Sequence, residues 1–242
     1  MALGEPLHAT APYAPIWLLV EVPGAWARKA VREAGLGELE WRAKDHGIRV
    51  GLVRRFGRRE QHADRSRRVF VARCTEPSLE QLSDVDPAKL DPADLPRGEP
   101  VPHPIYLVCT NGRRDVCCGR AGARVARALD PLLQDRLWEA THVGGHRFAA
   151  NLVALPHGLV YGRLDQTSAA EVVRAHEQGR IVLEHLRGRT TLRPEEQARE
   201  IYGDVEVVPV ELDPPRPTSC GGEPERPVAW TPRPAEPYDS PR

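Results

Sequence analysis

One order of elements over residues 103–211 constrains the fold of this chain most. An apolar strand is followed by a loop, a helix, further strands and a second helix. Periodicity predicts strands at 104–109, within "RLWEATHV", at 151–156 and at 159–164, and helices at about 119–130 and 168–188. This order predicts an α/β unit in which a sheet is covered by helices.

The first half of the chain repeats this outline. The run "IWLLVEV" (16–22) predicts a strand, "AWARKAVREAGL" (25–36) predicts a helix closed by glycines, and two strand-like runs follow at 48–56 and 67–74. We expect the last two to form a hairpin whose arginine-rich tip is a solvated loop rather than a docking patch for an acidic partner. The pattern therefore favours two degenerate thioredoxin-like halves, of which the first has no metal ligands.

Composition suggests where these units begin and end. We predict an N-terminal α/β half at 10–75 and an acidic, proline-rich linker at 76–102 with room for short helical turns only. A thioredoxin-like domain follows at 103–211. The proline-rich tail at 212–242 is expected to be extended, with Trp230 as its contact to the body.

Charge and hydropathy exclude several classes of function. The chain has 34 basic and 34 acidic residues, so no net field attracts nucleic acid or anionic lipid. No apolar run reaches the roughly 18 residues that a membrane span requires, and the start lacks the features of a secretory signal. We therefore expect a cytoplasmic protein with neither a nucleic-acid nor a membrane partner. In that reducing compartment, clustered cysteines indicate metal binding or redox chemistry rather than structural disulfides.

Two motifs in the second half carry that chemistry. In "CTNGRRDVCCG", Cys109 ends a strand and Cys118 lies at a helix start, where unpaired N–H groups stabilise thiolates. In "THVGGHRF", the two glycines predict a tight loop that brings His142 and His146 to one bound centre. Two thiolates and two imidazoles suit either a tetrahedral zinc ion or a [2Fe–2S] cluster, and the spacing alone does not choose between them.

Both motifs, with the following "NLVALPHGLVYG", resemble the sucraseferredoxin-like family, a branch of the thioredoxin-like [2Fe–2S] ferredoxins. The opening "TAPYAPIWLLVEVPGAW" and the late "SCGGEP" are also similar to elements of that family. The resemblance implies a bis-cysteinyl, bis-histidinyl cluster of non-Rieske type held by Cys109, Cys118, His142 and His146. The same spacing favours Cys118 over the adjacent Cys117 as ligand.

The remaining cysteines have no predicted ligand role. Cys74 is expected to be a small buried hydrophobe, and no role follows for Cys220.

The resemblance implies a one-electron carrier or redox sensor that works with an unidentified redox partner protein, rather than an enzyme with its own substrate. Neutral imidazoles in place of two thiolates would raise the cluster's potential and couple it to pH. Two alternatives stay open: a thiol oxidoreductase of thioredoxin type using Cys117 or Cys118, and a non-catalytic binding module stabilised by zinc. The first lacks the usual C-x-x-C, and the second lacks the short cysteine spacing of zinc knuckles.

Overall fold

A single mixed sheet of ten strands organises the computed structural model, which describes residues 4–58, 67–203, 205–218 and 220–233. The strands are β1 Ile16–Glu21, β2 Ile48–Arg55, β3 Val69–Arg73, β4 Ser78–Leu82, β5 Glu99–Pro100, β6 Ile105–Cys109, β7 Leu137–Ala140, β8 Leu152–Leu155, β9 Leu159–Tyr161 and β10 Leu186–Arg189. The helices are α1 Gly37–Lys44, α2 Ala123–Leu133, α3 Gln166–Glu177 and α4 Pro194–Tyr202. The predicted α/β class, a thioredoxin-like sheet covered by helices, is confirmed.

The strand order β10-β9-β8-β6-β7-β2-β1-β3-β4-β5 contains the same arrangement twice. β1 is parallel to β2 and antiparallel to β3, which is antiparallel to β4. β6 has the same relations to β7 and β8, and β8 to β9. The two units join where β2 and β7 pair antiparallel, with Val53 opposite Ala140. The halves therefore share one continuous sheet.

Alternation along the strands gives this sheet two different faces. On one face, apolar side chains such as Leu18 and Val108 pack under the helices in two clusters, one in each half. On the other face a single cluster, which includes Trp17, Leu107 and Trp138, extends across both halves. Cys109 belongs to this second face, so the predicted site lies on the side of the sheet opposite the helix-covered clusters.

The hairpin predicted from 48–56 and 67–74 is wrong. Both strands exist, but β1 lies between them, because neighbours in sequence need not pair in a sheet. Most of the predicted hairpin tip, residues 59–66, lies outside the described residues. The first helix also lies later than predicted: a wide helical turn at Arg32–Leu36 leads into α1, which ends at Lys44. The glycines at the end of the predicted helix, Gly35 and Gly37, therefore lie before α1 and at its first residue, and they do not end this helix.

Segment 76–102 contributes strands as well as the predicted helical turn. β4 pairs with β3 along its whole length, from Val69 opposite Leu82 to Arg73 opposite Ser78, and β5 pairs with β4. Helical structure within 76–102 is confined, among the described residues, to the short turn Pro87–Lys89. This segment is therefore part of the sheet rather than a separate linker.

The second long helix is shorter than predicted. α3 ends at Glu177, and Gly179 follows in a left-handed conformation with φ of 70° that suits glycine. The rest of the predicted helix forms the turn Leu183–His185 and the edge strand β10, which pairs with β9.

The proline-rich tail also forms strands, against expectation. Within the tail, β12 Arg216–Pro217 pairs with β13 Pro224–Glu225, and β14 Val228–Pro232 pairs with β11 Val207–Glu211, which precedes the tail. Trp230 packs against a small cluster that includes Ala198 and Val207, so the predicted contact through this tryptophan is confirmed. Among the described residues, no helix has both the length and the apolar character needed to cross a bilayer.

Candidate metal centre

The strand end and the helix start that carry Cys109 and Cys118 are pressed closely together. β6 ends at Cys109, and a wide helical turn at Cys118–Gly122 leads into α2. A Cβ at Gly122 would overlap the carbonyl oxygen of Cys109 and would lie 3.0 Å from its carbonyl carbon, so only glycine allows this approach. Both cysteines are consequently 1% exposed.

The structure brings three of the four predicted ligands together. The Sγ atoms of Cys109 and Cys118 and a ring nitrogen of His142 lie within 4.8 Å of one another. A hydrogen bond from Cys118 holds the pKa of Cys109 well below that of an ordinary thiol, and a hydrogen bond from His142 acts in the same direction against burial. The same bond, helped by burial, raises the pKa of Cys118.

The two histidines lie on a glycine-containing loop after β7, as predicted. Gly144 and Gly145 take left-handed conformations with φ of 89° and 69°. Hydrogen bonds to three backbone carbonyls hold the loop. Arg49 Nη2 donates to the His142 carbonyl, Arg187 Nη1 to the Gly144 carbonyl and Asn151 Nδ2 to the Gly145 carbonyl, each at 2.9 Å. The loop is thus fixed by side chains from several elements.

His146 lies in a second group next to the first. Its Nδ1 is 3.2 Å from Cys117 Sγ and 3.9 Å from Cys220 Sγ, and these three ligand atoms are within 4.8 Å of one another. Its other nitrogen, Nε2, is buried and has no hydrogen-bond partner within the described parts of the chain. Burial lowers the pKa of His146, which favours the neutral imidazole that binds metals.

Asp115 links the two groups. Its carboxylate is completely buried, with Oδ2 3.3 Å from His142 Nδ1 and Oδ1 3.8 Å from His146 Nδ1. Oδ1 also accepts a hydrogen bond of 2.8 Å from the backbone N–H of Cys220. A carboxylate at Nδ1 is the usual partner of a histidine whose Nε2 binds a metal.

Sequence reasoning did not identify Asp115, Arg187 or the position of Cys220. Asp115 stands beside two arginines in an apparently solvated loop, and Arg187 lies within a predicted helix. Their burial depends on the tail and on residues far away in sequence. Cys74 is buried as expected, away from both groups, and burial raises the pKa of its thiol to about 11.

A cleft of about 990 Å³ opens beside His142. Asp45 and Glu40 are its acidic lining residues, and the basic ones outnumber them: Arg28, Lys29, Arg32, Lys44, Arg49, Arg114 and Arg193. The His142 side chain is 21% exposed, against 9% for His146. Of the two histidines, His142 is therefore the more accessible one, and it faces a positively charged cleft.

Comparison with known proteins places these features in context. A sequence model described as sucrase/ferredoxin-like matches residues 7–188. A relative from Meyerozyma guilliermondii named altered inheritance of mitochondria protein 32 is 33% identical over 95 residues, 35% of this chain and 34% of the relative. A relative of the same name from Clavispora lusitaniae is 26% identical over 111 residues, 42% of this chain and 41% of the relative. The matches thus span less than half the length of either relative. No solved structure matches the chain.

Proposed function

The chain belongs to the sucrase/ferredoxin-like family, and on that premise we propose that it is an iron–sulfur protein that transfers one electron at a time. Its [2Fe–2S] cluster would be held by Cys109, Cys118, His142 and His146. The observation that carries this proposal is the convergence of two buried thiols with His142, while His146 lies across a shared buried carboxylate.

A centre larger than one ion would account for the arrangement of the donor atoms in two adjoining groups. A single tetrahedral zinc ion, with bonds of about 2.0–2.3 Å, draws its four ligand atoms to within about 4 Å of one another. The structure instead has three predicted ligands in one group and His146 in the next. A cluster core with two iron atoms is wider than a single zinc ion and would accept ligands from two adjoining groups. The unpartnered Nε2 of His146 is the nitrogen available to it.

When bound, such a cluster supplies reversible uptake of a single electron. The protein controls how readily this occurs. Two neutral imidazoles leave the centre with less negative charge than four thiolates would, which favours reduction. Asp115 lies 3.3 Å from Nδ1 of His142 and 3.8 Å from Nδ1 of His146, so its negative charge would favour a proton on these nitrogens and leave Nε2 for the metal. Cysteines that serve as ligands must stay reduced, and a reducing compartment keeps them as free thiols. We therefore propose that the protein is located in the cytoplasm.

The basic cleft is the proposed docking site for the redox partner. Electrons leave a buried centre most readily at its most exposed ligand, and His142 opens into this cleft. Its excess of arginine and lysine would attract an acidic surface and accelerate association at low ionic strength. The proposed partner is therefore an acidic redox protein.

Anaerobic purification of the full chain tests the cluster. We expect a reddish-brown protein with about two irons per chain. Cys109→Ser should lose the normal absorption, while the matched variant Cys74→Ser should keep it. Cys118→Ser should bleach the protein and Cys117→Ser should not. A colourless protein containing zinc, or no metal, would contradict the proposal and favour a zinc-stabilised module or a thiol oxidoreductase.

Stopped-flow oxidation with small charged reagents tests the cleft. The reduced protein should react faster with anionic hexacyanoferrate(III) as ionic strength falls, and cationic hexaamminecobalt(III) should show the opposite trend. Lys29→Glu with Arg32→Glu should weaken both trends. Arg127→Glu, an exposed position on α2 outside the cleft, is the control. Equal effects of the cleft and control variants would contradict docking at this site.

A further inference from the structure

Cys117 and Cys220 form a second pair of thiols beside the proposed cluster ligands. Their Sγ atoms are 4.0 Å apart, although the residues are separated by 103 positions in sequence. Both side chains are partly exposed, whereas Cys74, Cys109 and Cys118 are buried. This pair is therefore the one that a soluble oxidant reaches first.

The fold holds Cys220 at this place through contacts on both sides of its backbone. Its N–H donates to Asp115 Oδ1 at 2.8 Å, and its carbonyl accepts from Arg28 Nη2 at 3.4 Å. The paired strands β12 and β13 close the loop that carries it. The proximity of the two sulfurs is thus a consequence of several independent contacts.

The adjacent Cys118 is a poor alternative partner for Cys117. Neighbouring Cα atoms are about 3.8 Å apart, below the roughly 4.4–6.8 Å that disulfides usually span. The Cys118 sulfur is also engaged with Cys109. Oxidation at Cys117 is therefore directed toward Cys220.

We propose that Cys117 and Cys220 form a reversible disulfide that fastens the tail to the loop of the metal centre. A small disulfide such as oxidised glutathione is the oxidant. One protein thiolate attacks it and releases one glutathione thiol, and the second thiolate then displaces the other. The two protein thiols lose two electrons and two protons, and one oxidised glutathione becomes two reduced molecules.

This bond would cover His146 without using any proposed cluster ligand. The Cys117 sulfur lies 3.2 Å from His146 Nδ1, and the Cys220 backbone touches the carboxylate that faces both histidines. Oxidation would fix these groups against the histidine covalently, whereas in the reduced state the tail segment is held only by its non-covalent contacts. The oxidation state of Cys117 and Cys220 would thereby change the surroundings of His146, next to the proposed centre.

Thiol trapping on the full-length protein tests the pair. The protein, as purified anaerobically, is equilibrated in glutathione buffers of increasing oxidised fraction, then alkylated, digested without reductant and analysed by mass spectrometry. We expect equal loss of alkylation at Cys117 and Cys220 and a linked peptide that dithiothreitol removes. Cys220→Ser should abolish the link and leave Cys117 alkylated, and Cys74→Ser should leave the link intact.

Three results would overturn the inference: alkylation of both residues in every buffer, a link from Cys117 to Cys118 or Cys109, or zinc bound by Cys117 and Cys220. An iron count on the same samples separates this test from that of the proposed function. A linked peptide in a protein without iron would refute the cluster and leave the disulfide standing.

Discussion

Replacing Gly122 with alanine should disable the proposed metal centre without replacing any proposed ligand residue. The added Cβ would be fixed directly to the backbone of residue 122, and the atom it would overlap, the carbonyl oxygen of Cys109, is itself backbone. Either the end of β6 or the start of α2 must move by about 1 Å, because close-packed interiors cannot absorb such an overlap. Metal sites tolerate only about 0.2 Å in their ligand distances. We therefore expect most of the iron to be lost.

The same variant should also lose stability. Overpacking of this kind costs about 1–3 kcal/mol, which for a chain of this size lowers the melting temperature by roughly 2–4 °C per kcal/mol. Iron per chain, visible absorption and a thermal melt under anaerobic conditions measure both effects. Gly51→Ala is the matched control, because its Cβ would meet Leu19 Cδ2 at an ordinary 3.4 Å. Equal iron content and melting temperature in the two variants would refute the reasoning.

Three further predictions concern charge. His142→Cys or His146→Cys adds a negative ligand, so the reduction potential in an anaerobic titration should fall and depend less on pH; an unchanged potential would remove that residue from the ligand set. Asp115→Asn removes the carboxylate that orients both rings, and iron affinity in chelator competition should drop about 10- to 100-fold; unchanged affinity would show that this charge is not needed. Away from the site, burial lowers the pKa of His176 from 6.5 to about 4. The unfolded chain therefore takes up this proton first, and the free energy of unfolding should decrease by about 1–2 kcal/mol as pH falls from 6.5 to 4, since solvent screens part of the effect of burial. Urea unfolding at several pH values should show a smaller decrease in the free energy of unfolding for His176→Gln than for the unsubstituted protein. An equal decrease in the two proteins would contradict this prediction.

Local patterns were sufficient to predict the elements that carry the motifs. An apolar run ending in Cys109 becomes a buried strand end, and Cys118 begins a helical turn, because strand and helix periodicity depend on nearby residues. The glycines between the two histidines likewise produce the predicted loop. That Cys109, Cys118, His142 and His146 are all metal ligands stays a prediction.

Contacts between distant residues could not be predicted in this way. The strand-like runs at 48–56 and 67–74 are both strands, but nothing in either run indicates that β1 lies between them. Asp115 is buried because Cys220, from the tail, covers it. A proline-rich composition suggested a tail without strands, yet five consecutive residues of β14 are paired in register with β11.

The junction of β2 and β7 has a consequence for any attempt to divide the protein. Three registered residue pairs and the 2.9 Å contact between Arg54 and Glu139 hold the halves together there. A fragment beginning at residue 103 would leave β7 with an open edge, and open edges recruit other copies of the same strand. Such a fragment should precipitate when expressed alone, whereas coexpression with residues 1–102 should rescue it by complementation.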